Sequence, residues 1–231
     1  MDILEQTKPN KNKWISFLAD GILSGLMLGI GGMVSLSSEN RFLGAFLFSL
    51  GLFCIVQFKY GLFTGKVGYI VNRDLPYVAE TAVTLVGNAL GTLIAALLLR
   101  QVRFFTSTVS TMDVTISDRV QATVSGKIHD NPLSIFILAV FCGILMFTAV
   151  EGSRKCKEEK NFAGSLFVVV MPVMVLIICG FNHCIADMFY YFFAGCPEPS
   201  KAIVYFILAI AGNSVGGMIV PLLKKLSNQP L

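Results

Sequence analysis

Residues 162–195 read FAGSLFVVVMPVMVLIICGFNHCIADMFYYFFAG, an apolar stretch longer than the roughly 20 residues of helix that cross a bilayer. Pro172 lies in its first half, and Gly180-Phe181-Asn182-His183 stands at its centre. A proline or a glycine and polar break inside a membrane helix frees backbone groups, which is tolerated only where protein or a cavity satisfies them. The stretch therefore predicts a transmembrane helix that is broken near its middle.

A second apolar stretch, residues 42–72, has the same character because Lys59-Tyr60-Gly61 interrupts it. A continuous helix of about 30 residues would be about 45 Å long at 1.5 Å per residue, half as long again as the hydrocarbon core. This stretch predicts a second broken helix.

The composition, 55% hydrophobic and 14% charged, excludes a soluble domain, since soluble chains are about 25% charged. Six apolar blocks fill most of the 231 residues and predict an all-α membrane protein with one domain, residues 1–231. The blocks are 14–36, 42–72, 77–100, 132–152, 162–195 and 201–223. The polar connection 101–131 is predicted to be an external loop without chemistry, in which His129 is a surface histidine.

The two halves, about 14–100 and about 132–226, resemble each other. Gly25-Leu26-Met27-Leu28 aligns with Gly143-Ile144-Leu145-Met146, and the same offset sets Phe63 on Phe181. Gly87-Asn88-Ala89-Leu90-Gly91 aligns with Gly212-Asn213-Ser214-Val215-Gly216. Because each repeat has an odd number of spans, three, the second copy must cross the membrane in the opposite orientation. A pair of broken helices at matching places in two such inverted repeats predicts a transport site at the bilayer midplane. The glycines are interpreted as helix packing, with an oligomer contact as the alternative.

Two polar side chains stand at the breaks. An ionisable group at membrane depth is costly and indicates function, so His183 is the first candidate, against a helix-to-helix hydrogen bond. Burial favours neutral imidazole, whereas an approaching anion would favour its protonation, so that the two would cross as a nearly neutral unit. The hydroxyl of Thr64 is expected to hydrogen-bond an anion or the His183 ring, or else to bond back to a helix carbonyl.

Two lysines, Lys59 and Lys66, lie at or near this depth. A cation beside a pore raises the local anion concentration and argues against a path for ammonium or metal cations. For Lys59, the alternative to a place beside the pore is that its side chain extends to the membrane interface. Lys66 is alternatively neutralised by Asp187, one helical turn after His183.

The apolar residues Leu62, Phe63 and Phe181 flank these polar groups and are candidates for constrictions that narrow a pore and exclude water, with core packing as the alternative. Asn88 and Asn213 occupy equivalent places in the two halves. Both are interpreted mainly as caps or inter-helix hydrogen bonds, with a direct role in the path as the second interpretation.

The six cysteines are expected to be free thiols, because they show neither C-x-x-C spacing nor a Cys/His cluster. No metal, cofactor or nucleic-acid site is predicted. With both termini in the cytoplasm, the segments on the inner side of the membrane carry modestly more lysine and arginine than those on the outer side. This orientation is therefore predicted. The cations of these inner segments are Lys8, Lys11, Lys13, Arg73, Arg154, Lys155, Lys157, Lys160, Lys224 and Lys225.

Four local motifs resemble the formate/nitrite transporter family, whose members are small monovalent anion channels that include hydrosulfide channels. They are LFTG at 62–65, GFNHCIADMF at 180–189, GNALG at 87–91 and GNSVGG at 212–217. The resemblance covers essentially the whole chain. It implies an aquaporin-like homopentamer in the plasma membrane, one pore per subunit, Thr64 and His183 in the two break loops, and protons involved in transport.

The chain departs from the family pattern where the path is expected. Asn182 replaces the usual glutamate before the histidine, and Gly61 replaces a frequent acidic residue. Lys66 and Asp187 each replace a frequent asparagine. The first three changes make the path more positive, whereas Asp187 returns one negative charge. Asn182 and Lys66 therefore join Thr64 and His183 as candidate pore residues.

Three function classes are compatible with these features. The first is a channel or proton-linked transporter for small monovalent anions such as formate, nitrite or hydrosulfide. The second is an aquaporin-like pore for neutral solutes such as water or ammonia, which Lys66 disfavours. The third is an intramembrane hydrolase, because residues 212–216 formally match G-x-S-x-G. That motif requires a strand-to-helix turn, and a helix is predicted here, so no enzyme is expected.

Overall fold

The computed structural model describes residues 12–109 and 113–227, and within them the chain is almost entirely helical. Six helices are long and apolar enough to cross a membrane, which confirms the six predicted blocks. They are α1 (Lys13–Ser37), α2 (Arg41–Phe58), α4 (Leu75–Leu99), α6 (Pro132–Glu158), α7 (Phe162–Cys179) and α9 (Pro199–Leu226).

Both predicted breaks are present. Helix α2 ends at Phe58, and the chain resumes as α3 (Phe63–Lys66) and a 3₁₀ helix, Val67–Asn72. Helix α7 ends at Cys179, and the chain resumes as α8 (Cys184–Phe193). A left-handed residue terminates each first segment: Lys59, with φ of 59°, and Gly180, with φ of 70°. Glycine adopts this conformation without a Cβ penalty, whereas Lys59 adopts it at a cost.

The register between the two breaks differs from the glycine-based alignment. The segments 63–72 and 184–193 follow α2 and α7 at identical distances, so Phe63 corresponds to Cys184 and Phe181 corresponds to Tyr60. The alignment of Phe63 with Phe181 is therefore wrong by three residues. The shift of three residues arises in the first helix of each half. Counted from the aligned glycines Gly25 and Gly143, α6 is three residues longer than α1.

The glycine stripes lie between helices of the same half, as the packing interpretation predicted. A Cβ on Gly25 or Gly91 would overlap backbone atoms across the contact between α1 and α4. A Cβ on Gly143 or Gly216 would do the same between α6 and α9. The missing side chains thus allow each pair of backbones to approach closely.

The connection 101–131, predicted to be an external loop, carries secondary structure of its own in the described residues. It contains a 3₁₀ turn, Arg103–Thr106, and the amphipathic helix α5 (Ile116–Ile128). Thr115 and Asp118 form a capping box at its start, and this hydrogen bonding holds the pKa of the Asp118 carboxyl below its usual range. The polar residues Ser110 and Thr111 of this connection lie outside the described part of the chain.

Helix α5 buries one apolar stripe, formed by Ile116, Val120, Val124 and Ile128. The opposite side chains reach neighbouring elements: Gln121 donates to the Ala194 carbonyl at 2.7 Å, and Arg119 donates to the Ser38 carbonyl at 2.8 Å. The side of the protein that carries α5 is called the α5 face. The side where α1 begins and α9 ends is called the terminal face.

Candidate functional site

The two breaks meet at a hydrogen bond between Thr64 and His183, whose Oγ1 and Nε2 atoms are 3.1 Å apart. Both residues are buried. His183 is also the N-cap of α8, and its Nδ1 accepts the backbone N–H of Ala186 at 3.1 Å. Because that N–H can only donate, neutral His183 carries its proton on Nε2 and donates it to Thr64. The hydroxyl proton of Thr64 is then available to a passing acceptor.

Asn88 of α4 fixes the first break. Its Oδ1 accepts the backbone N–H of Phe63 at 2.9 Å. Its Nδ2 donates to the carbonyls of Gly21, at 2.9 Å, and Gly61, at 2.8 Å. The side chain thus supplies partners for backbone groups that the interruption of the helix leaves free.

Asn213 of α9 repeats the arrangement at the second break. Its Oδ1 accepts the backbone N–H of Cys184 at 2.9 Å, and its Nδ2 donates to the carbonyls of Ala139 and Asn182, each at 2.8 Å. Both asparagines therefore make the inter-helix hydrogen bonds that the sequence predicted. Their equivalent bonds also fix the corrected register between the halves.

A cavity of about 390 Å³ lies on the terminal-face side of the first break. Its walls are largely apolar and include Leu62, Tyr60 and Ile55. Four cationic side chains line it, and none of its lining residues in the described part of the chain is a carboxylate. These cations are Lys59, Lys66, Arg154 and Lys157. Arg154 is paired with Glu151 at 2.6 Å and Glu158 at 2.5 Å, whereas no carboxylate of the described residues forms an ion pair with the three lysines.

A second cavity, of about 420 Å³, lies on the α5-face side and reaches His183 and Phe181. Three cations and two carboxylates line it: Arg41, Arg119, Lys127, Glu39 and Asp187. A narrow void of about 10 Å³ beside His183 lies deeper in the protein. Its other walls are the apolar side chains of Leu28, Phe48, Leu52, Met146, Val173 and Leu176. Two wide, cation-lined approaches thus flank an apolar centre.

The predicted constriction residues fall in three different places. Leu62 lines the terminal-face cavity, whereas Phe181 lines the α5-face cavity and stacks on Phe141 with ring centroids 5.9 Å apart. Phe63 is buried and lines neither of these cavities. The structure therefore brings Leu62 and Phe181 to the approaches but places Phe63 in the core.

Lys66 does not pair with Asp187, which corrects one alternative from the sequence. Its Nζ donates to Thr84 Oγ1 at 3.3 Å and lies over the rings of Phe17, at 4.5 Å, and Tyr77, at 5.4 Å. Two aromatic faces therefore share in stabilising this ammonium at the edge of the terminal-face cavity.

The partner of Asp187 is Lys127, which sequence reasoning missed. Lys127 Nζ lies 3.2 Å from Asp187 Oδ1 and donates to Asn182 Oδ1 at 2.8 Å. The phenol of Tyr205 donates to Asp187 Oδ2 at 2.6 Å. Lys127 belongs to α5, so the segment predicted to have no chemistry supplies a cation to the residues on both sides of His183. The Thr115-x-x-Asp118 capping box was the sequence signal for that helix.

The G-x-S-x-G match has no catalytic geometry. Ser214 lies inside α9, and its hydroxyl donates to the Ile210 carbonyl at 2.7 Å. The six cysteines are free thiols, as predicted. His129, predicted as a surface histidine, is half exposed and lies 3.2 Å from Glu198.

The architecture can be compared with known proteins. The model of the formate/nitrite transporter family matches residues 4–225. The chain belongs to this family. Among its relatives, the formate channel FocA of Haemophilus influenzae is 25% identical over 194 residues, covering 79% of this chain and 67% of that protein. The formate-nitrite transporter of Plasmodium knowlesi is 26% identical over 242 residues, covering 89% of this chain and 74% of that protein.

Two solved structures share the formate/nitrite transporter fold. One, described as a pentameric formate channel with formate bound, superposes with a TM-score of 0.75 at 23% identity and covers 95% of this chain and 99% of that one. The other, an FNT family ion channel, also gives 0.75, at 16% identity, and covers 94% of this chain and 90% of that one. The predicted all-α membrane fold with broken second and fifth spans is thereby confirmed.

Proposed function

We propose that this formate/nitrite transporter family member is a channel or proton-linked transporter for small monovalent anions such as formate, nitrite or hydrosulfide. The observation that carries the proposal is the pair of cation-lined cavities that approach Thr64 and His183 from opposite faces. Cations in a low-dielectric cleft concentrate anions and repel cations, so such approaches suit an anion path.

The apolar centre sets the size and charge of the substrate. An anion that leaves either cavity must lose water among leucine, phenylalanine, methionine and valine side chains, which a small, singly charged ion does at the lowest cost. The hydroxyl of Thr64 and the imidazole of His183, whose N–H directs the Thr64 hydroxyl proton outward, are the polar groups that replace part of its hydration. We assign them the substrate contacts, with His183 as the group through which a proton is linked to transport.

The remaining candidate residues act on the approaches. Lys66 contributes charge to the terminal-face cavity, and Asn182 holds Lys127 beside the second break. Leu62 and Phe181 narrow the two approaches, whereas Asn88 and Asn213 keep the break loops in shape. The lysines of the terminal-face cavity disfavour the alternative of a pore for neutral solutes, which has no use for cations along its approach.

We propose the assembly and location with support from the relatives and from the charge distribution. The pentameric formate channel that shares this fold supports a homopentamer, with one pore in each subunit. The positive-inside bias supports cytoplasmic termini, and the plasma membrane is the proposed location. Lys8 and Lys11, which contribute to that bias, lie outside the described residues.

Flux measurements in proteoliposomes test the proposal. Formate, nitrite, hydrosulfide, acetate and lactate are compared at two pH values, with water and ammonia as neutral solutes. Selective passage of one or two small anions is the expected result. Passage of water or ammonia without any anion would refute it and leave only the fold.

The role of His183 is tested with His183→Ala and a matched control, His129→Ala, which removes the other histidine of the chain. Loss of one hydrogen-bond donor in a dry site weakens stabilisation by about 1–3 kcal/mol, so we expect His183→Ala to lower flux about tenfold and to alter its pH dependence. His129→Ala is expected to retain both. Unchanged flux of His183→Ala across the pH range would refute the assignment.

A further inference from the structure

Each broken helix ends with its last carbonyls pointing towards one of the two approaches. In α2, the Ile55 carbonyl accepts the backbone N–H of Tyr60 at 2.9 Å, as the left-handed Lys59 closes the helix. In α7, the Leu176 carbonyl accepts the N–H of Phe181 at 3.0 Å. These bonds satisfy only part of the last turn, in which four carbonyls lack intrahelical partners.

A cation from the other half of the chain satisfies a further carbonyl in each case. Lys157 of α6 donates to the Val56 carbonyl of α2 at 2.8 Å. Arg41, at the start of α2, donates to the Ile178 carbonyl of α7 at 2.7 Å. Lys157 lines the terminal-face cavity and Arg41 lines the α5-face cavity. The two contacts are thus counterparts, one in each approach, and each links one half to the other.

The charge at these positions matters because of the helix dipole. The carboxyl end of a helix carries the equivalent of about half a negative charge, which would repel an anion from the approach that it faces. A full positive charge on the last-turn carbonyls more than offsets that partial charge. An uncapped broken helix would therefore oppose the proposed substrate at both approaches.

We infer that Arg41 and Lys157 are the selectivity residues of the α5-face and terminal-face approaches, where each cancels the negative end of a broken helix and so admits anions from its own side. This inference rests on the proposed anion-channel function. It assigns the selectivity of the two sides to two separate residues.

Charge-removing and charge-keeping variants of the full-length protein separate this role from a structural one. Arg41→Gln and Lys157→Gln remove the charge, whereas Arg41→Lys and Lys157→Arg keep it. Arg103→Gln on the α5 face and Arg73→Gln on the terminal face are matched controls. Each control removes one exposed arginine that lines neither cavity and whose guanidinium lies 5.7 Å from an aromatic ring.

The measurement is the formate or nitrite current through single channels in a planar bilayer. Protease access to a tag fused after residue 231 assigns the orientation of each channel. Arg41→Gln is expected to reduce anion current from the α5 face about threefold to tenfold and to change current from the terminal face by less than about twofold. Lys157→Gln is expected to do the reverse, so the two variants rectify in opposite senses. The charge-keeping variants and the controls are expected to resemble the wild type.

Equal reductions in both directions would show a merely structural role and overturn the inference, as would glutamine variants that behave like the controls. If a glutamine variant is not recovered as a folded oligomer by size exclusion, Arg41→Met or Lys157→Met supplies the same neutral comparison. Absence of anion movement in the wild type, both as current and as flux into proteoliposomes, would refute the proposed function itself. A conducting wild type without side-specific effects would refute only the inference.

Discussion

Replacement of Lys127 by methionine is expected to destabilise the protein more than any neutralisation of its partner. Asp187 is 5% exposed, and its carboxylate is held by Lys127 and the phenol of Tyr205. Methionine keeps the length of the lysine stem but removes the cation. Asp187 would then remain as a buried charge without its cationic partner, and Asn182 would lose its donor as well.

The magnitude follows from this asymmetry. Removal of one partner from a buried ion pair costs about 3–5 kcal/mol, because the other charge stays uncompensated. Asp187→Asn removes the buried charge, keeps an acceptor for Tyr205, and leaves a lysine whose side chain is 20% exposed and able to reach water. We expect this second change to cost about 1–2 kcal/mol. The double variant should cost little more than Asp187→Asn alone, so the coupling energy should be close to the whole cost of Lys127→Met, about 3–4 kcal/mol.

Unfolding of the purified oligomer in a denaturing-detergent titration measures the four proteins of this double-mutant cycle. The expected order of stability is wild type, then Asp187→Asn and the double variant, and last Lys127→Met. Additive effects of the two single changes would show that the pair contributes nothing. Equal effects of Lys127→Met and Asp187→Asn would refute the reasoning about the uncompensated carboxylate.

Two further changes test the packing around the site. Asn213→Leu removes three hydrogen bonds and leaves buried backbone groups of Cys184, Ala139 and Asn182 without that partner. We expect the free energy of unfolding to fall by about 3–5 kcal/mol in the same titration. Near-wild-type stability would contradict the proposed role of Asn213 in holding the second break. Gly216→Ala should lower the stability because the added Cβ would overlap Val140. Gly126→Ala in α5 is the control: its Cβ would enter open space, so this change should be neutral or stabilise by up to about 1 kcal/mol. Equal effects of the two changes would show that close approach of the helices is unimportant.

Much of the fold is readable from the sequence because the bilayer restricts what an apolar stretch can be. The six spans and both breaks followed from block length and from the residues that interrupt the blocks, notably Gly180 and His183. The contact of Thr64 with His183 was also among the expectations, because two breaks at matching places of inverted halves must face each other at one depth.

The parts that the sequence did not reveal depend on partners distant along the chain. Lys127 and Asp187 are 3.2 Å apart yet lie on different helices, and only the packing of α5 against α8 brings them together. The alternative that paired Lys66 with Asp187 is therefore wrong. Helix α5 itself was overlooked because length and polarity suggest a loop, although its apolar residues recur at helical spacing.

The division of contacts between the halves has a consequence for how the protein is made. Asn88 completes the first break within the first half, so the backbone there is satisfied as soon as α4 has followed α3 out of the ribosome. The cation on the end of α2 arrives only with Lys157, after α6 is complete. A newly inserted first half would thus have the hydrogen bonds of its break loop before the cation that offsets the negative end of α2 is present.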